Sequence, residues 1–324
     1  MTKFTIAAAA TRRPVSWRST LALFAALLLA VPAQAEDGKP FFTQIAPGVY
    51  VHHGLVEETT PDNRGDIANL GFIVGDESVA VIDSGGSVSV GEAALAALRR
   101  ITDKPIAYLI DTHMHPDHVF GNQVFKAEGA TIIGHERLAP ALAARAESYA
   151  MSMAEQLGDE EIARVTITGP SEGVPVGEEK VIDLGGREIV LRAWETAHTD
   201  NDLTVFDRKT RTLFAGDLLF MEHIPVLDGS LLGWLGQTEA LRAVDAERVV
   251  PGHGPVEAPW PGAIEPQTAY LEALARDVRA AIARGDRLQD TAETAGAKEA
   301  ASFALADDYR RRNATSAFAE LEWE

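Results

Sequence analysis

The sequence predicts an α/β fold, and three observations carry that expectation. Short apolar runs of strand length alternate with Ala- and Leu-rich stretches of helical period. The helical stretches fall between the strand runs, which places helices against a sheet. Residues able to carry chemistry cluster where strand runs end.

The elements follow in order once residues 1–35 are set apart as a secretory signal. Lys3, Arg12, Arg13 and Arg18 form a positive start, 21–31 is unbroken apolar sequence, and Ala33-Gln34-Ala35 is a small-x-small cleavage site. The apolar run falls short of the roughly 20 residues that a spanning helix needs, so a cleaved signal is favoured over an anchor. The expected mature chain starts at Glu36, lies in the periplasm and contains no membrane span. Arg12-Arg13 raises twin-arginine export beside the general route, although Pro14 follows directly and the apolar run starts well downstream.

Strand runs at 48–51, 68–74 and 79–82 precede a helix over 88–101. A buried strand over 106–111 ends in a His-rich turn, and 117–125 opens a helix behind it. After a strand at 130–133, the Ala- and Leu-rich stretch 137–157 crosses one face of the sheet as a helix. The Gly- and Pro-rich segment 169–177 reads as a loop and a seam between two halves. Strands at 180–183, 188–194, 203–207 and 212–215 follow, with a hairpin turn at 207–210. A helix over 231–244, a strand at 248–250 and a turn at 251–255 close a domain spanning 36–260. The remainder, 261–324, is a helical extension with amphipathic stretches at 262–284 and 300–321, expected to pack on the domain or on a partner subunit rather than to carry chemistry.

Composition narrows the function. The formal charge is −19, and removing the four basic residues of 1–35 makes it −23. So acidic a surface repels phosphate backbones and lacks the basic footprint of a nucleic-acid partner. The chain has no cysteine, so any metal must sit on His, Asp or Glu and no thiol nucleophile exists.

Thr112-His-Met-His-Pro-Asp-His118 is the most informative segment. His113 and His115 are two apart in an extended segment and project to the same side, with Pro116 holding His115 extended. They face one cation, and the following turn swings Asp117 and His118 toward a second. His198 after a strand completes three imidazoles with an open fourth position. Asp217, preceded by Gly216, supplies a carboxylate that can bridge two cations, and His253 between two glycines supplies the last imidazole.

These motifs, running in order across residues 83–253, resemble the metallo-β-lactamase superfamily. The resemblance implies a four-layer αββα sandwich with the site at one edge between two sheets. It implies that His113, His115 and His198 hold the first metal, that Asp117, His118 and His253 hold the second, and that Asp217 bridges them. Asp83 in Val81-Ile-Asp-Ser-Gly85 matches the first motif, as a carboxylate orienting a ligand histidine. Within the superfamily, the commonest lactamases place a cysteine where Asp217 stands, and flavodiiron members carry Glu at the position of His115, so the set favours two zinc ions. The glyoxalase II group and the persulfide dioxygenases resemble much of this motif, and the expected export with the contexts of Tyr50, His198 and Gly252 also looks like the SoxH-related hydrolases of periplasmic quinoprotein systems.

The expected activity is hydrolysis of a small-molecule ester, thioester or amide by a metal-bridging hydroxide, with Asp117 shuttling the proton. An iron-dependent persulfide dioxygenase is the alternative of a different class, β-lactamase-like hydrolysis a second, and a non-catalytic module for a redox partner a third that loses ground because no ligand position is missing. Phe220 and His223, shortly after Asp217, are candidates for the substrate mouth. Leu231 and Leu232 are expected in the core, and His52, His53 and His135, without motif context, as capping or surface residues.

Overall fold

All four side chains of the strand Val79–Ile82 are buried, yet they divide between two cores: Val79 and Val81 face one, Ala80 and Ile82 the other. A strand that is apolar on both faces must be covered on both, and that requirement sets the layers of the molecule. The computed structural model describes residues 40–324; the expected signal and the first residues after it lie outside the described residues.

The first sheet has seven strands in sequence order: β1 (Thr43–Ala46), β2 (Val49–His52), β3 (Leu70–Val74), β4 (Val79–Ile82), β5 (Ile106–Ile110), β6 (Thr131–His135) and β7 (Glu172–Val174). Pairing is antiparallel from β1 to β4 and parallel from β4 to β7. The second sheet has six strands, β8 (Glu179–Asp183), β9 (Glu188–Ala193), β10 (Leu203–Asp207), β11 (Thr212–Phe220), β12 (Arg248–His253) and β13 (Ala258–Pro259). Strand β12 runs parallel to β11, and the other neighbours are antiparallel.

Between the sheets lies one core, where Ile73, Ile82 and Ile110 meet Leu191, Val205 and Phe214. The sheets approach closely here, since a Cβ added at Gly71 would sit 2.3 Å from the Phe214 ring. The outer face of the first sheet carries α1 (Val88–Ile101), whose Val90, Ala94 and Leu98 pack on Phe72, Val81 and Leu109. Ser87 caps this helix by accepting from the Val90 N–H, and Arg99 and Arg100 complement its C-terminal dipole. Further on come α2 (Pro116–Val119), α3 (Asn122–Ala127), α4 (Leu138–Leu157) and α5 (Asp159–Ile162). The outer face of the second sheet carries α6 (Leu231–Arg242), α7 (Glu265–Arg284) and α10 (Ala306–Leu321), with α8 (Leu288–Thr294) and α9 (Ala297–Ala300) between the last two. The order helix, sheet, sheet, helix is the four-layer sandwich, and the helices after Pro261 share the outer core of the second sheet.

Several elements differ from the sequence expectation. The helix expected over 117–125 is two short helices, broken at Phe120-Gly121, because Gly121 packs against the backbone of Ser84. The loop expected over 169–177 contains β7, which adds to the parallel edge of the first sheet, and the second sheet begins after it at β8, so the expected seam falls between the two sheets. Strand β11 continues beyond Ala215 to Phe220, and β12 through Pro251 to His253, so Asp217 and His253 sit within strands. The helix expected from 300 starts at Ala306. Strand β1 was not anticipated. No helix among the described residues is long and apolar enough to cross a membrane.

One buried ion pair fastens the sheets. Arg187 donates to both carboxylate oxygens of Asp207 at 2.9 and 2.7 Å and to the carbonyls of Pro47 and Val74 in the first-sheet region, both at 3.0 Å. The side chains of Arg187 and Asp207 are 4% and 0% exposed, so removing one partner strands a buried charge. Asp207→Ala is expected to cost about 3–5 kcal/mol, read as a lower urea midpoint; a midpoint within error of the parent would refute this role.

Candidate metal centre

Strands β9, β11 and β12 run in one direction, and their C-terminal ends meet those of β4 and β5 from the other sheet. The seven candidate ligands come from these ends. His113, His115, His198 and Asp217 converge as one group, and Asp117, His118 and His253 as another. The first group brings the Nδ1 of His115 to 3.1 Å from His113 Nε2 and 3.0 Å from His198 Nε2. Around a tetrahedral zinc with bonds of roughly 2.0–2.1 Å, neighbouring donors stand about 3.3 Å apart, so the spacing suits such an ion. Asp217 reaches both groups. Its Oδ2 lies 3.6, 3.4 and 3.5 Å from Nε2 of His113, His198 and His253, and its Oδ1 lies 3.3 Å from His118 Nε2. Asp117 Oδ2 stands 3.5 and 3.3 Å from Nε2 of His118 and His253.

The opposite ring nitrogens explain why these atoms converge. His198 Nδ1 donates to the Val226 carbonyl at 2.7 Å, His253 Nδ1 to the Ile67 carbonyl at 2.9 Å, His118 Nδ1 to Asp83 at 2.8 Å and His115 Nε2 to Asp228 at 3.0 Å. His113 Nδ1 lies 3.1 Å from the Thr112 hydroxyl, which itself donates to Asp83 at 2.8 Å. These partners accept protons, so each outward nitrogen carries one and the inward nitrogen is the available ligand atom. Two inward atoms, His118 Nε2 and Asp217 Oδ1, are buried without any hydrogen-bond partner. Orphaned polar atoms beside a carboxylate-rich centre fit a bound cation.

Electrostatics separates the two groups. Burial pushes His113 well below the ordinary imidazole value and His198 down to about 4. Burial also opposes charging of His118 and His253, but Asp217 and Asp117 outweigh it, raising His118 well above the ordinary value and His253 to about 9. Asp217 is buried and Asp117 partly so, yet the neighbouring imidazoles hold both carboxyls well below the usual range.

Asp83 is placed as its motif suggests, 2.8 Å from His118 and also accepting from the Thr112 N–H at 2.8 Å, with φ 56° in the left-handed region. Phe220 and His223 are buried rather than on a solvated loop, and they line a cavity of about 200 Å³ over the metal groups. Leu231 is fully buried and Leu232 packs at the edge of the same core. His135 is a buried strand residue beside the Trp194 carbonyl, and His52 binds Asp66 and stacks on Phe41; neither joins the site, and His53 stays exposed. Sequence reasoning missed Asp228, Arg145, Tyr149, Glu58, Tyr309 and Arg312, which line the same cavity. Tyr309 and Arg312 lie on α10, so the extension expected to carry no chemistry supplies part of the cavity wall. No local pattern distinguishes these residues, because they arrive from α4, α10 and two separate loops.

A profile of the Metallo-beta-lactamase superfamily matches residues 63–253. The chain is 25% identical over 222 residues to a linear primary-alkylsulfatase of Pseudomonas sp. (strain ATCC 19151), covering 55% of this chain and 40% of that protein. It is 25% identical over 187 residues to a Beta-lactamase-like protein 2 homolog of Caenorhabditis elegans, covering 57% of this chain and 55% of the relative. The chain therefore spans about half the length, or less, of these curated relatives. Among solved structures, a double mutant of the sec-alkyl sulfatase PisA1 superposes with TM-score 0.64 at 15% identity over 87% of this chain and 50% of that one. A metallo-beta-lactamase from Pontibacter korlensis superposes with TM-score 0.54 at 19% identity, over 71% and 98%. These likenesses establish the fold.

Two outcomes test the centre. Gly252 leaves no room for a side chain, since an added Cβ would lie 1.8 Å from Asp217 Oδ1; Gly252→Ala is expected to lower metal affinity by roughly 10-fold or more, measured by chelator competition, and parent-like affinity would refute it. Ligation needs unprotonated nitrogens, and His118 and His253 each hold an extra proton at pH 7. Loading metal at pH 7 should therefore release about two protons, with affinity rising toward pH 9; an indicator dye that records no release contradicts that charge state.

Proposed function

The chain belongs to the metallo-beta-lactamase superfamily, and from that membership we propose that it is an exported hydrolase with two zinc ions, acting on a small-molecule ester, thioester or amide. Members are generally metal-dependent hydrolases, and this chain is one. The observation that carries the two-ion reading is the convergence of five imidazoles whose outward nitrogens are each held by an accepting partner, with Asp217 shared between both groups.

His113, His115 and His198 would hold one zinc, Asp117, His118 and His253 the other, and Asp217 both. Bound there, zinc supplies Lewis acidity and brings the pKa of water to about 7. The protein's own contribution is position and proton handling. Asp117 lines the cavity, which places it to accept a proton from attacking water and pass it to the leaving group. Phe220 and Val226 give the cavity an apolar side, and His223 stands beside His253 with its ring centroid 5.2 Å away. Burial brings His223 down to about 4, so at neutral pH it meets a substrate as an uncharged imidazole.

The two sulfatase relatives bring sulfate esters into the candidate substrates. Export rests on residues 1–35, and the link to a periplasmic quinoprotein system rests on the SoxH-like contexts of Tyr50, His198 and Gly252.

Elemental analysis of the mature protein, with turnover of a thioester, a lactone, a β-lactam and an alkyl sulfate before and after chelation, tests this reading. About two zinc per chain and chelator-sensitive turnover are expected, with both lost in His115→Ala and Asp217→Ala. Roughly one iron per chain with oxygen uptake would replace hydrolysis by the dioxygenase.

A further inference from the structure

Two guanidinium groups reach the wall of the cavity from opposite parts of the chain. Arg145 comes from α4 and Arg312 from α10, and both bind Asp228: Arg145 Nη1 donates to Oδ2 at 2.7 Å, and Arg312 Nη2 to Oδ1 at 3.3 Å. Asp228 Oδ2 also accepts from His115 Nε2. A single negative carboxylate thus stands between two permanent positive charges, leaving a surplus of one beside the metal groups.

The donor count agrees with the charge count. Each guanidinium offers five N–H donors in a planar fork, and each spends one on Asp228. The two side chains are 40% and 53% exposed, so the unused donors are open to whatever enters. Half-exposed guanidinium groups of this kind contribute little to folding, and holding Asp228 takes one donor from each. Beside Arg145, the Tyr149 hydroxyl lines the same cavity and is buried without a hydrogen-bond partner. Burial, ahead of its neighbours, pushes this phenol up to about 12, so it stays a donor. Glu58 also lines the cavity, beside Tyr309 of α10. On a chain of formal charge −19, an anionic substrate needs such a local counter-field to enter.

We propose that Arg145 and Arg312, with the Tyr149 hydroxyl, form an anion-recognition arm that selects substrates bearing a carboxylate or sulfate group. The inference rests on the hydrolase reading above and names its substrate class. The apolar side of the cavity takes the adjoining carbon chain, and the forked guanidinium donors match the paired oxygens of the anion.

The test compares zinc-loaded protein with Arg145→Gln, Arg312→Gln and the double variant on two esters, p-nitrophenyl hydrogen succinate and p-nitrophenyl butyrate. The parent is expected to favour the acid-bearing ester. Each substitution should lower the ratio of the two kcat/KM values by roughly 10- to 100-fold, chiefly through KM, with zinc content retained. p-Nitrophenyl sulfate in the same series separates the sources of the anion: a matching loss extends the arm to sulfate esters, and no loss confines it to carboxylates. A ratio that does not move, or an equal loss on both esters accompanied by loss of zinc, would overturn the proposal in favour of support for Asp228 and His115. Should no ester turn over, the hydrolase reading fails by itself, and calorimetric binding of hexanoate against hexanol decides the arm. Hexanoate preferred by the parent and weakened about 10-fold in the double variant sustains it; equal binding by both proteins sinks it.

Discussion

The centre depends on one buried carboxylate. Asp83 ends β4 in a left-handed backbone conformation, and from there it accepts from the Thr112 N–H, the Thr112 hydroxyl and His118 Nδ1, each at 2.8 Å. These bonds fix the chain just after β5 and the short helix that carries His118, and through the Thr112 hydroxyl they reach His113. Aspartate tolerates this conformation better than most residues because it is short and polar. A neutral side chain there could accept fewer bonds, and the imidazoles on both sides of the centre would lose a common reference.

Around that anchor the fold serves as a frame for strand ends. Four apolar cores among the described residues hold the layers in place, and the polar atoms they exclude collect at one edge. The second sheet is positioned from two sides. Asn69 at the entry to β3 donates to the carbonyls of Pro251 and Gly254 at 2.9 and 3.0 Å, clasping the turn that presents His253. On the outer face, Glu320 of α10 accepts from the Leu231 N–H at 2.7 Å and from the Ser230 hydroxyl at 2.6 Å, capping α6. The helices after Pro261 therefore hold the second sheet's cover in register as well as lining the cavity.

The sequence made the frame legible where periodicity is strong. Helix α1 and strands β4, β5 and β10 carry clear apolar patterns between turn residues, and the structure places them where those patterns fall. The heptapeptide and the isolated His198, Asp217 and His253 could be gathered into one site because each follows an apolar run. Strand β11 was cut short because Gly216 and Asp217 interrupt that run, whereas in the fold every one of its residues is buried and its pairing shifts register at Gly216. Segment 169–177 hid β7 because three residues on a sheet edge leave too little alternation to read. Asp228, Arg145 and Arg312 were invisible for another reason: an ion pair between residues 83 positions apart, like that of Arg145 and Asp228, has no local signature.

The distribution of the ligands along the chain also sets an order of events. His113 and His253 come from different sheets, and Asp217 can reach both groups only when β11 and β12 have paired beside the first sheet. Contacts so distant in sequence form after the local ones, because loop-closure entropy must be overcome before they yield any stabilisation. The histidine-rich turn after β5 is thus an incomplete chelator for much of folding. Which cation the protein keeps is decided late, by the finished cage and by the ions available in the compartment where folding ends.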